Sequence, residues 1–465
     1  MHPVDAAPQT VARPATSPRQ GRGHAGRLGV LVALSGTLVA IRLLRSWLWR
    51  GGTVPVGPVS HVLSYGAVLW AVPALSCLLS VAGMLLYGSI RRASYAPGTD
   101  VPDDPPFLVC FRIVSRGENV GALRATVASV RREMAEQPLF AYRVEVVTDC
   151  PVSLRGGPDL RLLVVPPGYR TPTGARFKAR ALQYAIERSD LAAEAWIFHL
   201  DEESHLSPSV VAGIRDAVAE EERTGAHRIG QGVILYHRDL ARHPVLTLAD
   251  MVRTGDDVGR FYLQHRLGVS IIGLHGSFVL VRNDVEQKVG FDLGPEGSIT
   301  EDAFWALRQM EKGSRCRWVE GYIVEQSPHS VRDFLKQRRR WLAGMTRVIL
   351  YAEVQAWIRL PLALFTLAWS SAWLGMAYTV LNAFTGWRTA PGLSLLGDVC
   401  LAVFTVTYLV GLTVNLRDVP DLGGLRRGAI FVLTVVLIPF FAVLESAGVL
   451  YAIVRPERGF HVVDK

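Results

Sequence analysis

Long apolar segments occur towards both ends of the chain, and between them short apolar runs alternate with amphipathic ones. Arg42 and Arg45 interrupt the end of the first segment, and we expect their side chains to extend to a membrane interface. A helix needs about 20 predominantly apolar residues to cross a bilayer, and five segments meet this requirement. The predicted membrane-spanning helices are Leu28–Trp49, His61–Tyr87, Trp357–Phe384, Leu393–Leu416 and Gly428–Val454.

The middle of the chain has the periodicity of an α/β domain. Apolar runs of strand length alternate with helical patterns, which predicts a mainly parallel sheet covered by helices on both faces. An amphipathic helix at His329–Arg347 is expected to lie on a membrane surface. The predicted strands are Phe107–Val114, Tyr142–Thr148, Leu160–Val165, Ala195–Leu200 and Arg228–Tyr236, and the predicted helices are Val120–Met134, Phe177–Ser189 and Pro208–Glu222.

Composition and charge suggest a membrane protein with four parts. The net charge is +9, and much of the excess arginine flanks the apolar segments, which favours topology signals over nucleic-acid binding. The five cysteines form no C-x-x-C pair, which is typical of a reducing compartment. We predict an integral protein of the plasma membrane with its α/β domain in the cytoplasm. The parts are a basic, disordered N-terminus (residues 1–27), two membrane helices (28–92), the α/β domain (100–345), and an interfacial helix with three membrane helices (346–465).

Acidic residues follow two of the predicted strands. Asp149 comes after Tyr142–Thr148, and Asp201-Glu202-Glu203 comes after Ala195–Leu200. Because open α/β sheets bind ligands at the carboxyl ends of their strands, Asp149 can hydrogen-bond a base or a ribose there. Clustered carboxylates can hold Mg²⁺ or Mn²⁺, although a solvated acidic turn is the alternative. Lys178 and Arg180 open a predicted helix and can meet phosphate charge, unless they are ordinary surface charges.

Two further motifs lie towards the end of the α/β domain. Thr300 is a good N-cap, which places Glu301 and Asp302 in the first turn of a helix that ends near Gly313. Asp302 then has the position of a general base held ionised by the helix terminus, while acids that merely complement the helix dipole are the alternative. In Gln337-Arg338-Arg339-Arg340-Trp341, Arg340 can clamp a departing diphosphate and Trp341 can stack on a sugar ring.

Taken in order, these motifs resemble those of membrane-bound family 2 glycosyltransferases, which include cellulose, chitin and hyaluronan synthases. A closer similarity is to the egghead-like β-1,4-mannosyltransferases. It is carried by Cys110-Phe-Arg-Ile-Val-Ser-Arg-Gly, His199-Leu-Asp-Glu-Glu-Ser, Gly230-Gln-Gly-Val-Ile, His275-Gly-Ser-Phe-Val, Glu320-Gly-Tyr-Ile-Val-Glu-Gln-Ser-Pro and Phe334-Leu-Lys-Gln-Arg-Arg-Arg-Trp-Leu.

The resemblance implies a GT-A fold, a divalent cation, and inverting transfer from a nucleotide-sugar donor. For egghead-like enzymes the donor is GDP-mannose and the acceptor is a glucosyl lipid. The roles that it implies are metal binding by Asp201 and Glu203, donor binding by Asp149, Lys178, Asp201 and Gln337, catalysis by Asp302 with Glu301 and Arg340, and acceptor binding by Trp341, His275, Gly276 and Ser277.

Three other functions are compatible with parts of the pattern. A processive β-polysaccharide synthase that uses a UDP-sugar shares the motifs, although five spans make a thin channel. A transporter with a soluble domain is disfavoured because Asp398 and Glu445 are isolated acids within their predicted spans. A non-catalytic scaffold is disfavoured because every expected acidic position is filled.

Overall fold

Two long helices precede the α/β domain. The computed structural model describes residues 20–48, 63–87, 107–385, 389–419 and 422–457. Helix α1 (Gln20–Leu48) begins inside the segment predicted to be disordered, and residues 1–19 of that segment lie outside the described residues. A 3₁₀ turn, Gly66–Trp70, leads into α2 (Ala71–Tyr87). Residues 88–106, between α2 and the α/β domain, also lie outside the described residues.

The central domain contains eight strands and eight helices in the described part of the chain. The strands are β1 (Leu108–Ser115), β2 (Ala141–Thr148), β3 (Leu160–Val164), β4 (Trp196–Asp201), β5 (His205–Leu206), β6 (Ile229–Leu235), β7 (Val279–Arg282) and β8 (Cys316–Val324). The helices are α3 (Val120–Glu136), α4 (Phe177–Glu187), α5 (Pro208–Thr224), α6 (Pro244–Asp256), α7 (Tyr262–Arg266), α8 (Asn283–Gln287), α9 (Glu301–Glu311) and α10 (Val331–Tyr351).

The strands form one mixed sheet in the order β3-β2-β1-β4-β7-β6-β8-β5. Four of the neighbouring pairs are parallel, namely β3–β2, β2–β1, β1–β4 and β6–β8, so the predicted parallel character is confirmed for most of the sheet. The five predicted strands are all present. Strands β5, β7 and β8 were not predicted, because β5 and β7 are short and β8 alternates buried with half-buried residues.

Helix ends follow the sequence signals with one exception. Ser207 caps α5 by accepting a hydrogen bond from the Val210 amide at 3.3 Å, and Gly313 ends α9 with a positive φ of 83°. Thr300 occupies the N-cap position of α9, but its side chain makes no capping hydrogen bond, contrary to the prediction. The side chain packs instead against Gly344 of α10, where an added Cβ would lie 2.3 Å from Thr300 Cγ2.

The two faces of the sheet carry separate apolar clusters. Val109 and Phe111 of β1 pack with α3 and α5, whereas Cys110 packs with α4 and α9, as the alternation along a strand requires. A buried ionic network lies within the sheet. The Arg112 guanidinium bonds Glu145 and Glu286 at 2.6 Å each, so its charge is paired inside the core.

Three long helices follow the domain: α11 (Ala356–Thr385), α12 (Pro391–Asp418) and α13 (Gly424–Val454). Together with α1 and α2 they are five helices long and apolar enough to cross a membrane. Arg42 and Arg45 of α1 pair with Asp398 of α12 at 3.0 and 3.1 Å. The two arginines therefore point to a buried carboxylate on another helix, and not simply towards an interface.

Helix α10 does not lie on the outside of the protein. Phe334 is fully buried in a cluster with residues of α6, α12 and α13, and Leu342 packs with Val449 and Ala452 of α13. Its apolar side, predicted to face a membrane surface, is thus used to join the α/β domain to the long helices.

Candidate active site

Three carboxylates meet at the carboxyl edge of the sheet. Oxygen atoms of Asp201, Glu203 and Glu325 all lie within 4.8 Å of one another. Asp201 ends β4, and Glu325 follows β8. Strands β4 and β6 are both antiparallel to β7 and so run in the same direction, which β8 shares because it is parallel to β6. Hard divalent cations prefer such converging oxygen ligands, so the donor set fits Mg²⁺ or Mn²⁺.

Glu202, the middle acid of Asp201-Glu202-Glu203, points away from the other carboxylates and towards β1. The Ser115 hydroxyl donates a short hydrogen bond to the Glu202 carboxylate, and the Thr126 hydroxyl donates to the Glu202 carbonyl oxygen at 2.6 Å. Glu202 therefore ties β1 and α3 to the turn after β4. This leaves the first and third acids for the cluster, as the sequence predicted for Asp201 and Glu203.

Lys178 bridges two groups of acids. Its ammonium donates to Asp201 at 2.5 Å and to the Gly276 carbonyl at 2.9 Å, and lies 3.6 Å from Glu301 Oε1. Burial acts to lower the pKa of Lys178, but the Asp201 and Glu301 carboxylates outweigh it and raise that pKa above its usual value. Gly276 allows this close packing, since an added Cβ would lie 3.0 Å from Lys178 Nζ.

Glu301 and Asp302 begin α9 as predicted, and both line the central cavity described below. Burial raises the pKa of Glu301 to about 7. Burial also raises the pKa of Asp302, and this outweighs the lowering by Lys178 and by the Ala303 amide, which donates to Asp302 Oδ1 at 2.8 Å. The helix terminus therefore does not hold Asp302 in the readily ionised state that the sequence suggested, which makes its carboxylate a stronger base once deprotonated.

The loop before β7 places a histidine and a serine beside the acids. His275 Nε2 lies 2.5 Å from Asp257 Oδ1, and the His275 ring packs on Phe261 with centroids 4.5 Å apart. The Ser277 hydroxyl donates a short hydrogen bond to Glu325. Ser277, predicted to contact an acceptor, is thus buried as a support for the carboxylate cluster.

Helix α10 contributes a glutamine, two arginines and a tryptophan. Arg338 is buried between Asp250 of α6 and Glu445 of α13, at 2.8 and 2.7 Å, and also donates to Gln337. Glu445, which has no other charged residue near it within its predicted span, is therefore paired with Arg338. Burial lowers the pKa of Arg340, opposed by the acids of the site, Glu301 first among them.

Trp341 contacts two guanidinium groups. The Arg253 and Arg338 Cζ atoms lie 4.9 and 4.7 Å from the centre of its ring. These cation–π contacts fix the indole at the cavity wall. Arg253, which the sequence pattern did not single out, also lies 4.3 Å over the Tyr236 ring and is a further residue of the site.

Asp149 follows β2 and forms an ion pair with Arg180 of α4. Ser115 at the end of β1 pairs in register with Thr148, and Asp201 pairs with Val114. Asp149 and Asp201 therefore lie on one edge of the sheet, as expected, and β1 separates their strands.

All twelve predicted site residues line one cavity of about 1280 Å³, the central cavity. From Asp149 it passes the carboxylates and then continues between α2, α11, α12 and α13. Its lining there is mainly aromatic and apolar, with Trp70, Phe365, Trp369, Trp373 and Phe404. One continuous space thus joins the polar edge of the sheet to the interior of the apolar helices.

Comparisons with known proteins agree with this arrangement. Residues 196–443 match a family model described as glycosyl transferase family group 2. The chain is 33% identical over 429 residues to beta-1,4-mannosyltransferase bre-3 of Caenorhabditis briggsae, covering 89% of this chain and 92% of the relative. It is 32% identical over 394 residues to beta-1,4-mannosyltransferase egh of Drosophila melanogaster, covering 83% and 84%.

A solved structure with a lower similarity is the mannosyltransferase PcManGT from Pyrobaculum calidifontis in complex with GDP-Man and Mn²⁺. The TM-score is 0.42 at 14% identity, covering 84% of this chain and all of that one. The family model spans more than half of the chain, and the curated relatives match over most of it. The chain belongs to glycosyl transferase family group 2 and is a glycosyltransferase.

Proposed function

We propose that the protein transfers mannose from GDP-mannose to a hydroxyl group of a glycolipid in the membrane, forming a β-1,4 linkage. The relatives named beta-1,4-mannosyltransferase support the sugar and the linkage. The observation that carries the lipid acceptor is the central cavity, which joins the carboxylate cluster to the space between four apolar helices. A lipid can keep its chains among these helices while its sugar headgroup reaches the acids.

Asp201, Glu203 and Glu325 are the residues that would hold a divalent cation, Mg²⁺ or Mn²⁺. Such an ion would supply positive charge to the diphosphate of the donor. Lys178 already bonds Asp201, so its ammonium lies where it can contact the same diphosphate. Gln337, on α10 beside the cavity, is the fourth proposed contact to the donor, after Asp149, Lys178 and Asp201.

The proposed reaction is a single displacement. Asp302 takes the proton of the acceptor hydroxyl while its oxygen forms a bond to the anomeric carbon. The bond from that carbon to the diphosphate oxygen breaks on the opposite face, so the configuration inverts. Arg340, which lies among the acids of the site, stabilises the negative charge that develops on the leaving diphosphate. We assign the border of the acceptor sugar to Trp341, His275 and Gly276, which line the same cavity.

We further propose that the five apolar helices span the plasma membrane with the α/β domain in the cytoplasm. Arg417, Arg426 and Arg427 flank the connection between α12 and α13, and Arg91 and Arg92 follow α2. Five alternating spans put both of these segments on the side of the α/β domain. Arginine enrichment of this kind is typical of cytoplasmic segments.

The test is sugar transfer by purified protein in detergent. GDP-mannose and UDP-glucose are each offered with a glucosyl lipid, in the presence of Mn²⁺ or of a chelator. We expect a mannosylated lipid from GDP-mannose, lost with the chelator. Transfer from the UDP-sugar alone, especially into a growing polymer, would contradict the proposal and favour a processive synthase.

A further inference from the structure

Helix α6 places an arginine at the cavity whose donors the protein does not use. The Arg253 side chain lines the central cavity and is 16% exposed. Its Nη1 atom is buried without a hydrogen-bond partner, and its Nε and Nη2 atoms make no hydrogen bond to any other residue that the structure describes. Asp250 Oδ2 lies 3.8 Å from Nη1, which is beyond hydrogen-bonding distance. A guanidinium has five N–H donors, so Arg253 can offer several to a ligand.

Two aromatic rings hold this guanidinium in place. The Arg253 Cζ atom lies 4.3 Å from the centre of the Tyr236 ring and 4.9 Å from the centre of the Trp341 ring. Such contacts suit the planar guanidinium and leave its N–H groups available for hydrogen bonds. Because the rings already restrict the side chain, it loses little conformational freedom when it binds a ligand.

The charges beside Arg253 indicate that its ligand is neutral. Arg338 bonds Asp250 at 2.8 Å and Glu445 at 2.7 Å. Arg253 lies on the other oxygen of the same Asp250, so two guanidinium groups face two carboxylates. This set has no net charge, and an anion such as a phosphate would find no unbalanced positive charge there. Hydroxyl oxygens, which are neutral acceptors, suit the free N–H groups of Arg253.

We propose that Arg253 donates hydrogen bonds from Nε and Nη2 to two neighbouring hydroxyl oxygens of the acceptor sugar and so determines which acceptor is used. This inference rests on the proposed function and adds a residue to its acceptor site. Trp341, assigned above to the border of the acceptor sugar, is in contact with Arg253. The Nε–H group and one Nη2–H group point in the same direction, so they can meet two adjacent oxygens together.

The reacting oxygen limits which pair of hydroxyls this can be. In the proposed β-1,4 transfer to a glucosyl lipid, O4 of glucose attacks the anomeric carbon and gives its proton to Asp302. The O1 atom is bonded to the lipid, and O6 is attached to a carbon outside the ring. The neighbouring ring hydroxyls that remain are O2 and O3. Arg253 is therefore assigned to O2 and O3 of the acceptor glucose.

The test measures mannose transfer by the full chain in detergent with GDP-mannose and Mn²⁺. The acceptors are a short-chain alkyl β-glucoside and its 2-deoxy, 3-deoxy and 6-deoxy analogues. We expect kcat/KM for the 2-deoxy and the 3-deoxy glucoside to be about 10- to 100-fold lower than for the glucoside, the ratio that one hydrogen bond to a charged group provides. The 6-deoxy glucoside is the internal reference, because it lacks a hydroxyl that Arg253 does not contact.

Replacing Arg253 by Gln should remove this discrimination. The acceptor KM should rise about 10- to 100-fold, while kcat and the affinity for GDP stay within a few-fold, because O2 and O3 do not react. The variant should use the glucoside and its 2-deoxy and 3-deoxy analogues nearly equally, and its preference for the glucoside over the 6-deoxy analogue should not change. Arg253→Lys keeps the charge without the fork of N–H groups, so it should retain at most one of the two ratios.

Arg188→Gln is the matched control, because Arg188 also lies over a tyrosine ring, 5.6 Å from the centre of Tyr184, but does not line the cavity. It should keep every ratio and the acceptor KM. Arg253→Lys supplies the comparison if Arg253→Gln does not fold, which GDP binding reports.

Equal use of the glucoside and its 2-deoxy and 3-deoxy analogues by the unchanged protein would overturn the inference. So would ratios that survive Arg253→Gln, since a merely structural arginine would affect all the acceptors alike. A weaker affinity for GDP with an unchanged acceptor KM would place Arg253 at the donor instead. These results, obtained with mannose transfer intact, would refute only the contacts of Arg253. Turnover of a UDP-sugar alone would refute the proposed donor, and the same ratios measured with that sugar would still decide the role of Arg253.

Discussion

At the scale of single residues, the site is a set of buried charges that neutralise one another. Lys178 bonds Asp201 and lies near Glu301, while Arg340 lies among the same acids. Asp201 and Glu301 each have a cationic neighbour, and Glu301 is buried, where electrostatic interactions are stronger than in water. The effects of single substitutions therefore depend on which charge loses its partner.

Replacing Asp302 by Asn should abolish most of the activity. An amide cannot accept the proton of the attacking hydroxyl, and general-base catalysis contributes roughly 10²- to 10⁴-fold to a rate. The turnover of GDP-mannose with a glucosyl lipid measures the loss, and GDP affinity should stay within a few-fold of the original. A variant that keeps more than a tenth of the rate would remove Asp302 from the role of base.

The rate should fall on the acidic side of about pH 7. Burial raises the pKa of Glu301 to about 7, so Glu301 binds a proton as the pH falls into this range, and burial also raises the pKa of the adjacent Asp302 above its usual value. The protonated forms cannot act as a base. The pair titrates jointly, so the acid limb of kcat/KM belongs to both groups.

Glu301→Gln provides the check on this pH dependence. It removes a negative charge next to Asp302, which lowers the pKa of Asp302 and should move the acid limb to lower pH. Measuring kcat/KM between pH 5 and pH 9 for both proteins tests this. An acid limb at the same pH in the variant would argue against electrostatic interaction between the two carboxyls.

At the scale of elements, α10 connects the long helices to the site and fixes the position of its own side chains relative to them. Arg338 holds α10 between α6 and α13 through Asp250 and Glu445, and the adjacent Gln337 and Trp341 line the cavity. A buried arginine whose partners come from two other elements fixes the helix more strictly than apolar packing alone.

Replacing Glu445 by Gln should lower kcat about 10- to 100-fold, since displacing a positioned group by about 1 Å can cost 10²-fold in rate. Arg338 keeps Asp250 but loses its charged partner on α13. Glu457→Gln is the matched control, because it breaks the neighbouring Arg339–Glu457 pair, which does not line the cavity. Equal kcat values for the two variants would mean that Arg338 does not position α10.

The sequence was sufficient for the elements with strong periodicity and for the acids at their ends. Asp149 and Asp201 follow apolar strands, and their common edge follows from parallel pairing. Glu325 was missed because β8 has a half-buried face and was not recognised as a strand. The signal was nevertheless present, since Glu325 directly follows β8 in the way that an acid occurs at the end of β4. The Arg338–Glu445 and Lys178–Asp201 pairs join distant positions, which local patterns do not specify.

At the scale of the whole molecule, the central cavity joins a water-exposed reaction to an apolar compartment. The half that lies between the long helices is lined by tryptophan and phenylalanine, with Ala368 and Ala372 leaving room between them. The proposed glycolipid acceptor would occupy this half with its lipid chains, whereas the proposed nucleotide site lies at the other end of the cavity. Donor and acceptor binding should therefore be separable by substitution.

Replacing Ala372 by Trp should reduce transfer to a glucosyl lipid at least tenfold and leave GDP affinity unchanged, because the added ring fills the apolar half of the cavity. Leu367→Trp is the control: it lies on the same helix, α11, but is 49% exposed and does not line the cavity. Transfer measured in detergent with a long-chain and a short-chain glucoside distinguishes the effect on the lipid chains. Undiminished transfer by Ala372→Trp would contradict an acceptor path between the helices.

The pairing of Arg42 and Arg45 with Asp398 has a consequence for how the protein is made. Arg42 precedes its partner by 356 positions, so most of the chain has been synthesised before the carboxylate exists. Until then the first helix carries two guanidinium groups without that partner, which disfavours its deep insertion in hydrocarbon. We therefore expect α1 to reach its final place only after α12 has been synthesised, so that this first helix is one of the last of the five apolar helices to take its position.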